Sequence, residues 1–111
     1  MKLKRLVIFA AAIICLVDLN SCETTNFPPP PVAAEFAQTA ARQHVDLAAL
    51  RDGRALFVSR CIECHTLPAV SQHSATEWSR IIDEMAGRAS LKPAERDAIV
   101  AYISATRAQA R

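Results

Sequence analysis

Cys61-Ile62-Glu63-Cys64-His65 is the stretch that decides how this 111-residue chain folds and what it binds. Its pattern, C-x-x-C-H, is the attachment signature of covalently bound c-type haem, in which two thiols add across the two haem vinyl groups. The spacing of the two cysteines suits a tight helical turn along the porphyrin edge. The imidazole that follows is predicted to be the proximal iron ligand. We therefore predict one covalent haem c, attached through Cys61 and Cys64 and ligated by His65.

Two other sites share the C-x-x-C pattern. A zinc site needs a third and a fourth ligand at metal spacing; His73 is one candidate, but the sequence has no second cysteine pair of this spacing. A thioredoxin-like redox site needs a βαβ framework around the motif, and no convincing strand pattern is present. The haem interpretation is favoured because a histidine follows the motif and an export signal precedes it.

The export signal is the N-terminal segment. Lys2, Lys4 and Arg5 form a positively charged region, and Leu6 to Val17 form an apolar run of 12 residues. This run is too short to span a bilayer comfortably, and it has the length of the apolar region of a signal peptide. We therefore expect the protein to be exported from the bacterial cytoplasm to the periplasmic side.

The end of this signal, Leu19-Asn20-Ser21-Cys22, resembles a bacterial lipobox. The resemblance implies that residues 1–21 are a lipoprotein signal peptide and that Cys22 carries the lipid. Glu23 follows Cys22, and by resemblance to bacterial sorting rules this favours the outer membrane. The alternatives are ordinary secretion, with Cys22 left as a free thiol, and retention of the segment as a signal anchor.

Charge and cysteine content restrict the partners and the cross-links. The chain has 13 basic and 11 acidic side chains, and the part after residue 21 has a formal charge of zero. No basic stripe indicates a nucleic-acid partner. If Cys22 carries lipid and Cys61 and Cys64 carry haem, no structural disulfide is possible. A haem then supplies the apolar disc around which the helices of a small domain can pack.

A proline-rich linker separates the lipid from the folded unit. Residues 22–34 are predicted to form this linker, and Pro28 to Pro31 favour a semi-rigid polyproline II conformation. The segment is either a stalk that holds the domain off the membrane or a disordered leader without a selected length. Both interpretations leave residues 23–31 outside the folded unit and assign residues 35–111 to a single domain.

The first half of that domain has a helical pattern. Ala33 to Gln43 is rich in helix-forming residues, and Asp46 is a candidate N-cap for the next helix. Leu50, Gly53 and Phe57 recur at spacings of three and four residues and lead into the cysteine motif, as the buried face of a helix does.

The second half has two further helical patterns. Ser74 to Glu77 has the form of a capping box, and Gly87 lies near the expected end of the helix that it opens. Pro93 suits the first position of a last helix, with Glu95 in its first turn. The side chains predicted to face inward are Trp78, Ile81, Ile82 and Met85 on the first of these helices and Ile99, Tyr102, Ile103 and Thr106 on the second.

These features together resemble the class I c-type cytochromes over about 60 residues, from Leu47 to Ala105. The resemblance rests on Gly53 and Phe57 ahead of the attachment motif, on the motif itself, on the run from Glu77 to Met85, and on the closing Ala101-Tyr102-Ile103. It implies an all-α fold, a small helical domain wrapped around one covalent haem. It also implies that the first and last helices cross closely, with Gly53 against Tyr102; the alternative is that Gly53 merely weakens a surface helix.

The distal iron ligand is the next question. Met85 is the one methionine besides Met1, it shares a helical face with Trp78, and the resemblance also points to it as the distal ligand. A methionine on an apolar face is also an ordinary core residue. His73, His44 and an open sixth position therefore stay as alternatives.

Other residues have both a functional and a structural interpretation. The Pro68 carbonyl is a candidate acceptor for the Nδ1 proton of His65, or the residue is an ordinary loop proline. Trp78 is a candidate for packing on the haem and donating its indole N–H to a propionate, or for core packing alone. The arginines that either pair with propionates or are simply solvated are Arg54, Arg60, Arg80 and Arg88.

The function predicted from the sequence is that of a membrane-tethered electron carrier, not an enzyme. Its partners are expected to be redox proteins and, through the lipid, a membrane, with neither nucleic acid nor a small-molecule substrate. The main alternative is a haem-based sensor or binder of small gases with a displaceable sixth ligand. A peroxidase-like enzyme, with His73 as the distal acid–base group, and a structural subunit of a respiratory complex are further alternatives.

Overall fold

The computed structural model describes residues 28–64 and 66–111. These residues form four α-helices, α1 (Ala37–Arg42), α2 (Leu47–Cys61), α3 (Ala75–Ala86) and α4 (Pro93–Gln109), with short 3₁₀ turns at Ala34–Phe36 and Val70–Gln72. The described parts of the chain contain no β-strand, so the all-α prediction is confirmed at this level. The βαβ framework that a thioredoxin-like site needs is absent from the same residues.

The helix that leads to the cysteine motif begins at a side-chain cap. Asp46 has an extended backbone, and its Oδ1 accepts a hydrogen bond from the Ala49 amide at 2.6 Å, as predicted. Leu50, Gly53 and Phe57 form the buried face of α2. Since these positions are three and four residues apart, one side of the helix turns towards the core over three successive turns.

Helices α2 and α4 approach each other closely at Gly53. A Cβ placed on Gly53 would collide with the carbonyl oxygen of Ala98 and would lie 2.9 Å from the Cβ of Tyr102. The predicted contact of Gly53 with Tyr102 is therefore confirmed, and the alternative of a weakened surface helix is wrong. Only glycine lets the backbone of α2 lie against the backbone of α4 at this point.

The beginnings of α3 and α4 also follow the sequence. Ser74 Oγ accepts from the Glu77 amide at 3.2 Å, and the Glu77 carboxylate accepts from the Ser74 amide at 2.8 Å, so the predicted capping box is present. Pro93 is the first residue of α4, and the Glu95 carboxylate accepts from the Lys92 amide at 2.8 Å. Both helices thus have their unpaired N-terminal amides partly satisfied by their own side chains.

Helix α3 ends next to Gly87, as predicted, but the backbone conformation of Gly87 differs from that of a left-handed C-cap glycine. The helix stops at Ala86, and Gly87 keeps a right-handed conformation with φ −64°. The left-handed residue of the connection is Ser90, with φ 51°. Gly87 is therefore not a left-handed C-cap; the chain continues for one more turn before it reverses at Ser90 and Leu91.

The proline-rich segment is the main difference from the sequence prediction. Tyr102 Oη donates a hydrogen bond to the Pro30 carbonyl at 2.7 Å, and Arg54 Nη2 donates to the Pro29 carbonyl at 3.0 Å. Val32 packs against the hydrophobic core. The expectation that all of residues 23–31 lie outside the folded unit is therefore wrong for Pro29 and Pro30.

The buried apolar side chains form two clusters joined through Val32. One contains Phe36, Ala40, Leu50 and Ala105, where α1 packs on α2 and α4. The larger one lies around α3 and contains Phe57, Val70, Trp78, Ile82, Ile99, Tyr102 and Ile103. Within the two described ranges, no helix combines the length and the apolar character needed to cross a bilayer.

Candidate cofactor site

The cysteine motif lies at the C-terminal end of α2. Cys61 is the last residue of the helix, and Ile62 to Cys64 continue as a turn. Both thiols are free; Cys61 is half-buried and Cys64 is exposed. His65, the predicted proximal ligand, lies outside the described residues, as do Cys22 and the signal segment. The structure therefore describes the two attachment thiols but not the imidazole that follows them.

Both thiols line a cavity enclosed by α2, α3 and α4. The cavity holds about 790 Å³ of empty space, including its solvent-open mouth. Its walls are almost entirely apolar, and the apolar side chains that contribute most of them are Phe57, Ile81, Ile82, Leu91 and Ile99. The chain thus builds a large apolar hollow next to Cys61 and Cys64.

The predicted distal ligand lies in the wall of the same cavity. Met85 is the penultimate residue of α3, and its half-buried side chain lines the hollow together with the two cysteines. The two alternative ligands do not belong to this wall. His44 is exposed after α1, and His73 packs edge-on against Trp78 with ring centroids 5.3 Å apart. Among the described candidates, Met85 is therefore the one that the fold brings to the cysteines.

Trp78 has a more definite role than the sequence indicated. Its indole Nε1 donates to the Val70 carbonyl at 2.8 Å, and its ring packs edge-on against Phe57 with centroids 5.8 Å apart. Since the single indole N–H is already engaged, the suggested hydrogen bond to a propionate is wrong for this structure. The side chain is 2% exposed and lines the cavity, so it forms a rigid apolar wall.

Pro68 also lies in the cavity wall, in the segment between the motif and α3. The predicted partner of its carbonyl is the Nδ1 proton of His65, which lies outside the described residues. The position of Pro68 therefore agrees with a residue of the site, and the hydrogen bond itself stays a prediction.

The structure separates the four candidate arginines into two pairs. Arg54 binds proline carbonyls, and Arg80 forms an exposed ion pair with Glu84 at 2.6 Å. Arg60 and Arg88 line the cavity. Arg60 Nη2 donates to the Ala89 carbonyl at 2.7 Å, which ties the end of α2 to the connection between α3 and α4. Its Nε is buried without a hydrogen-bond partner among the residues that the structure describes.

The electrostatic surroundings of the first thiol follow from its position. Burial raises the pKa of Cys61, and the neighbouring Cys64 raises it further. The Cys61 thiol is therefore held in its neutral S–H form at neutral pH. In the described part of the chain, no group of three or more His, Cys, Asp or Glu side chains is arranged to hold a metal ion.

The sequence did not indicate which other residues complete the cavity. Ala89 and Leu91 line it from the connection after α3, and Ile99 lines it from α4. Ile99 belonged to the predicted inward stripe, but no sequence signal showed that the connection would fold back onto the end of α2. Comparisons with protein-family models, with curated proteins and with solved structures gave no match.

Proposed function

We propose that this chain is a single-haem c-type cytochrome that carries electrons while tethered to a membrane. The observation that carries the proposal is that Cys61 and Cys64 of a C-x-x-C-H motif lie on the wall of a large apolar cavity that also includes Met85. A match to the C-x-x-C-H pattern alone would give no information about what surrounds the two thiols. Here the surroundings have the apolar character that suits a covalently held porphyrin, which supports the proposal.

Each residue of the site has a proposed role. Cys61 and Cys64 form the two thioether bonds, His65 is the proximal ligand, and the soft sulfur of Met85 is the distal ligand, which favours ferrous iron. Trp78 and Phe57 exclude water from the cavity, and Pro68 orients the proximal imidazole. When bound, the group supplies one iron that alternates between its ferrous and ferric states. The protein fixes the ligands and sets the potential through burial.

The tether belongs to the same proposal. Residues 1–21 are removed on export, Cys22 receives lipid, and the domain lies on the periplasmic side, with the outer membrane favoured by Glu23. The partners are redox proteins that exchange electrons near the cysteine motif, where Ile62, between the two cysteines in sequence, is a large hydrophobic side chain with 56% of its surface exposed. No small-molecule substrate is proposed, so the chain is a carrier and not an enzyme.

Mass spectrometry tests the attachment directly. The chain is expressed in a host that matures c-type cytochromes, and the mass of the mature polypeptide is measured under denaturing conditions. We expect the mass of one haem in addition to the polypeptide, because thioether bonds survive denaturation. A full-length product without the added mass, from a host that matures a control cytochrome, would overturn the proposal.

Optical spectra test the distal ligand. The wild-type protein should show the sulfur-to-iron charge-transfer band of the oxidised state and no shift when carbon monoxide is added to the reduced state. Met85→Ala should abolish the band and open the site to carbon monoxide. Ile81→Ala is the matched control, because Ile81 is a half-buried wall residue of the same helix without a ligating atom. If wild type binds carbon monoxide at once, the protein is a gas binder rather than a carrier.

A further inference from the structure

The proline segment binds to the domain through its main-chain carbonyls. Tyr102 Oη donates to the Pro30 carbonyl at 2.7 Å, Arg54 Nη2 donates to the Pro29 carbonyl at 3.0 Å, and Arg54 Nε donates to both carbonyls at 3.1 Å. These hydrogen bonds join residues more than twenty positions apart in sequence. We call residues 28–32 the proline strap.

The hydrogen-bond acceptors of the strap match the side-chain donors that bind it. Pro28 to Pro31 have no amide protons, so their backbone only accepts hydrogen bonds, and a polyproline II segment leaves its carbonyls available for them. Arg54 and Tyr102 present side-chain donors from α2 and α4. Burial raises the pKa of Tyr102, so its hydroxyl keeps the proton that it donates. Val32, the last residue of the strap, packs against the hydrophobic core.

The docking point lies close to the cavity. Arg54 and Cys61 are seven residues apart in α2, so they lie on the same side of the helix, two turns and ~10 Å from each other. The chain that leads towards Cys22 therefore leaves the domain beside the crossing of α2 and α4, on the side of α2 that also carries the first attachment thiol.

We propose that the docked proline strap sets the distance between the cavity and the membrane surface, an inference that rests on the proposed lipid at Cys22. Pro29 lies seven positions after Cys22, and seven residue steps span at most ~25 Å. The docking point is held within that distance of the lipid surface. If Pro29 and Pro30 were not bound, Val32 would be the first residue held by the domain. The ten residue steps from Cys22 to Val32 would then span up to ~35 Å. The strap thus limits how far the cavity can move away from the membrane surface.

Energy transfer from the lipid surface to the haem tests this arrangement. Lipidated, haem-loaded protein is bound to vesicles of phosphatidylethanolamine and phosphatidylglycerol that carry a fluorescent headgroup lipid, and quenching of the donor by the haem is measured. In the double variant Arg54→Leu with Tyr102→Phe, the strap loses its donors. We expect transfer to fall ~twofold or more, because the maximum reach of the tether grows from ~25 to ~35 Å. Arg51→Leu, at an exposed position of the same helix, is the matched control and should keep the wild-type value.

A second variant protects the test against loss of folding. Replacing Pro29 and Pro30 by glycine leaves every residue of the helices in place and makes the strap flexible, so transfer should fall as in the double variant. If either folded, haem-loaded variant gives the same transfer as wild type, the proposed control of distance is wrong. Wild-type protein that carries no haem or does not bind vesicles would instead overturn the proposed function.

Discussion

The middle of α2 and its C-terminal end have opposite surroundings. In the middle of the helix, Gly53 lies so close to the α4 backbone at Ala98 that no side chain fits between them. Two turns later, Cys61 and Cys64 border an apolar cavity that opens to solvent. One helix thus passes from a direct backbone contact to an open apolar cavity. Protein atoms complete the packing at the first place, and under the proposed function a haem completes it at the second.

If the proposed haem occupies this cavity, it contributes to the packing of the fold as well as to the function. Atoms that line an empty apolar hollow lose dispersion contacts on one side, and water in such a hollow finds few hydrogen-bond partners. The half of the domain around the α2–α4 crossing should therefore be stable by itself. The half formed by α3 and the cavity should depend on its occupant.

The largest expected effect comes from removing both attachment thiols. In Cys61→Ala with Cys64→Ala, covalent haem should be lost completely, since no other thiol lies on the cavity wall among the described residues. Hydrogen exchange should then show that the amides of α3 lose roughly 2–5 kcal/mol of protection relative to haem-loaded wild type, the size of a large cavity cost. The amides of α2 next to Gly53 serve as the internal control and should change much less.

Two outcomes would contradict this comparison. An equal loss of protection in all helices would show that the two halves unfold as a single unit. Unchanged protection of α3 would show that the cavity is stable without an occupant.

The next largest effect concerns the packed half. Gly53→Ala places a methyl group against the Ala98 carbonyl, so α2 and α4 have to move apart, at a cost of about 1–3 kcal/mol. Gly87→Ala is the matched control, because no atom lies within 4 Å of its Cβ and its φ of −64° suits alanine. That variant should be stabilised by about 0.4–1 kcal/mol. Urea unfolding of the haem-loaded variants measures both, and equal effects of the two substitutions would mean that the crossing is not constrained as described.

The packed half was also the half that the sequence predicted well. The contact of Gly53 with Tyr102 was expected from the resemblance to class I c-type cytochromes, and the cost of glycine in a helix agreed with it. Leu50, Gly53 and Phe57 were assigned to the buried face of α2 from their spacing. Met85 was predicted for the site because it is the one methionine besides Met1, because it shares a helical face with Trp78, and because the resemblance points to it. Apolar spacing indicated the inward faces of α2, α3 and α4, whereas the first helix was predicted from its helix-forming composition.

The features that the sequence missed depend on main-chain acceptors. The docking of the strap uses carbonyls of Pro29 and Pro30, and the indole N–H of Trp78 is bound by the Val70 carbonyl. Every residue has such a carbonyl, so residue identity carries no signal of which one is used. The connection with its reversal at Ser90 also involves a main-chain acceptor, since Arg60 Nη2 donates to the Ala89 carbonyl there.

The smallest expected effect is a pH dependence at the start of α3, the outer wall of the cavity. Hydrogen bonds from Ser74, its backbone amide first, lower the pKa of Glu77 below its ordinary value of 4.5. A carboxyl whose pKa is lowered by folding contributes stability that is fully present above its unfolded pKa and is lost as the pH falls through its folded pKa. Wild type should therefore be more stable than Glu77→Gln at neutral pH. The difference should shrink as the pH falls below the ordinary glutamate pKa of 4.5, and it should vanish below the folded-state pKa of Glu77.

Urea midpoints of haem-loaded protein, measured from neutral pH into the acid range, test this dependence. Glutamine keeps an oxygen that can accept from the Ser74 amide, so the variant removes the charge and leaves the cap geometry possible. Ser74→Ala is the companion variant, since it removes the hydroxyl that accepts from the Glu77 amide at 3.2 Å. It should lower stability by about 1 kcal/mol at neutral pH. A wild-type advantage over Glu77→Gln that persisted undiminished in acid would show that the carboxylate charge is not what holds this end of the cavity wall.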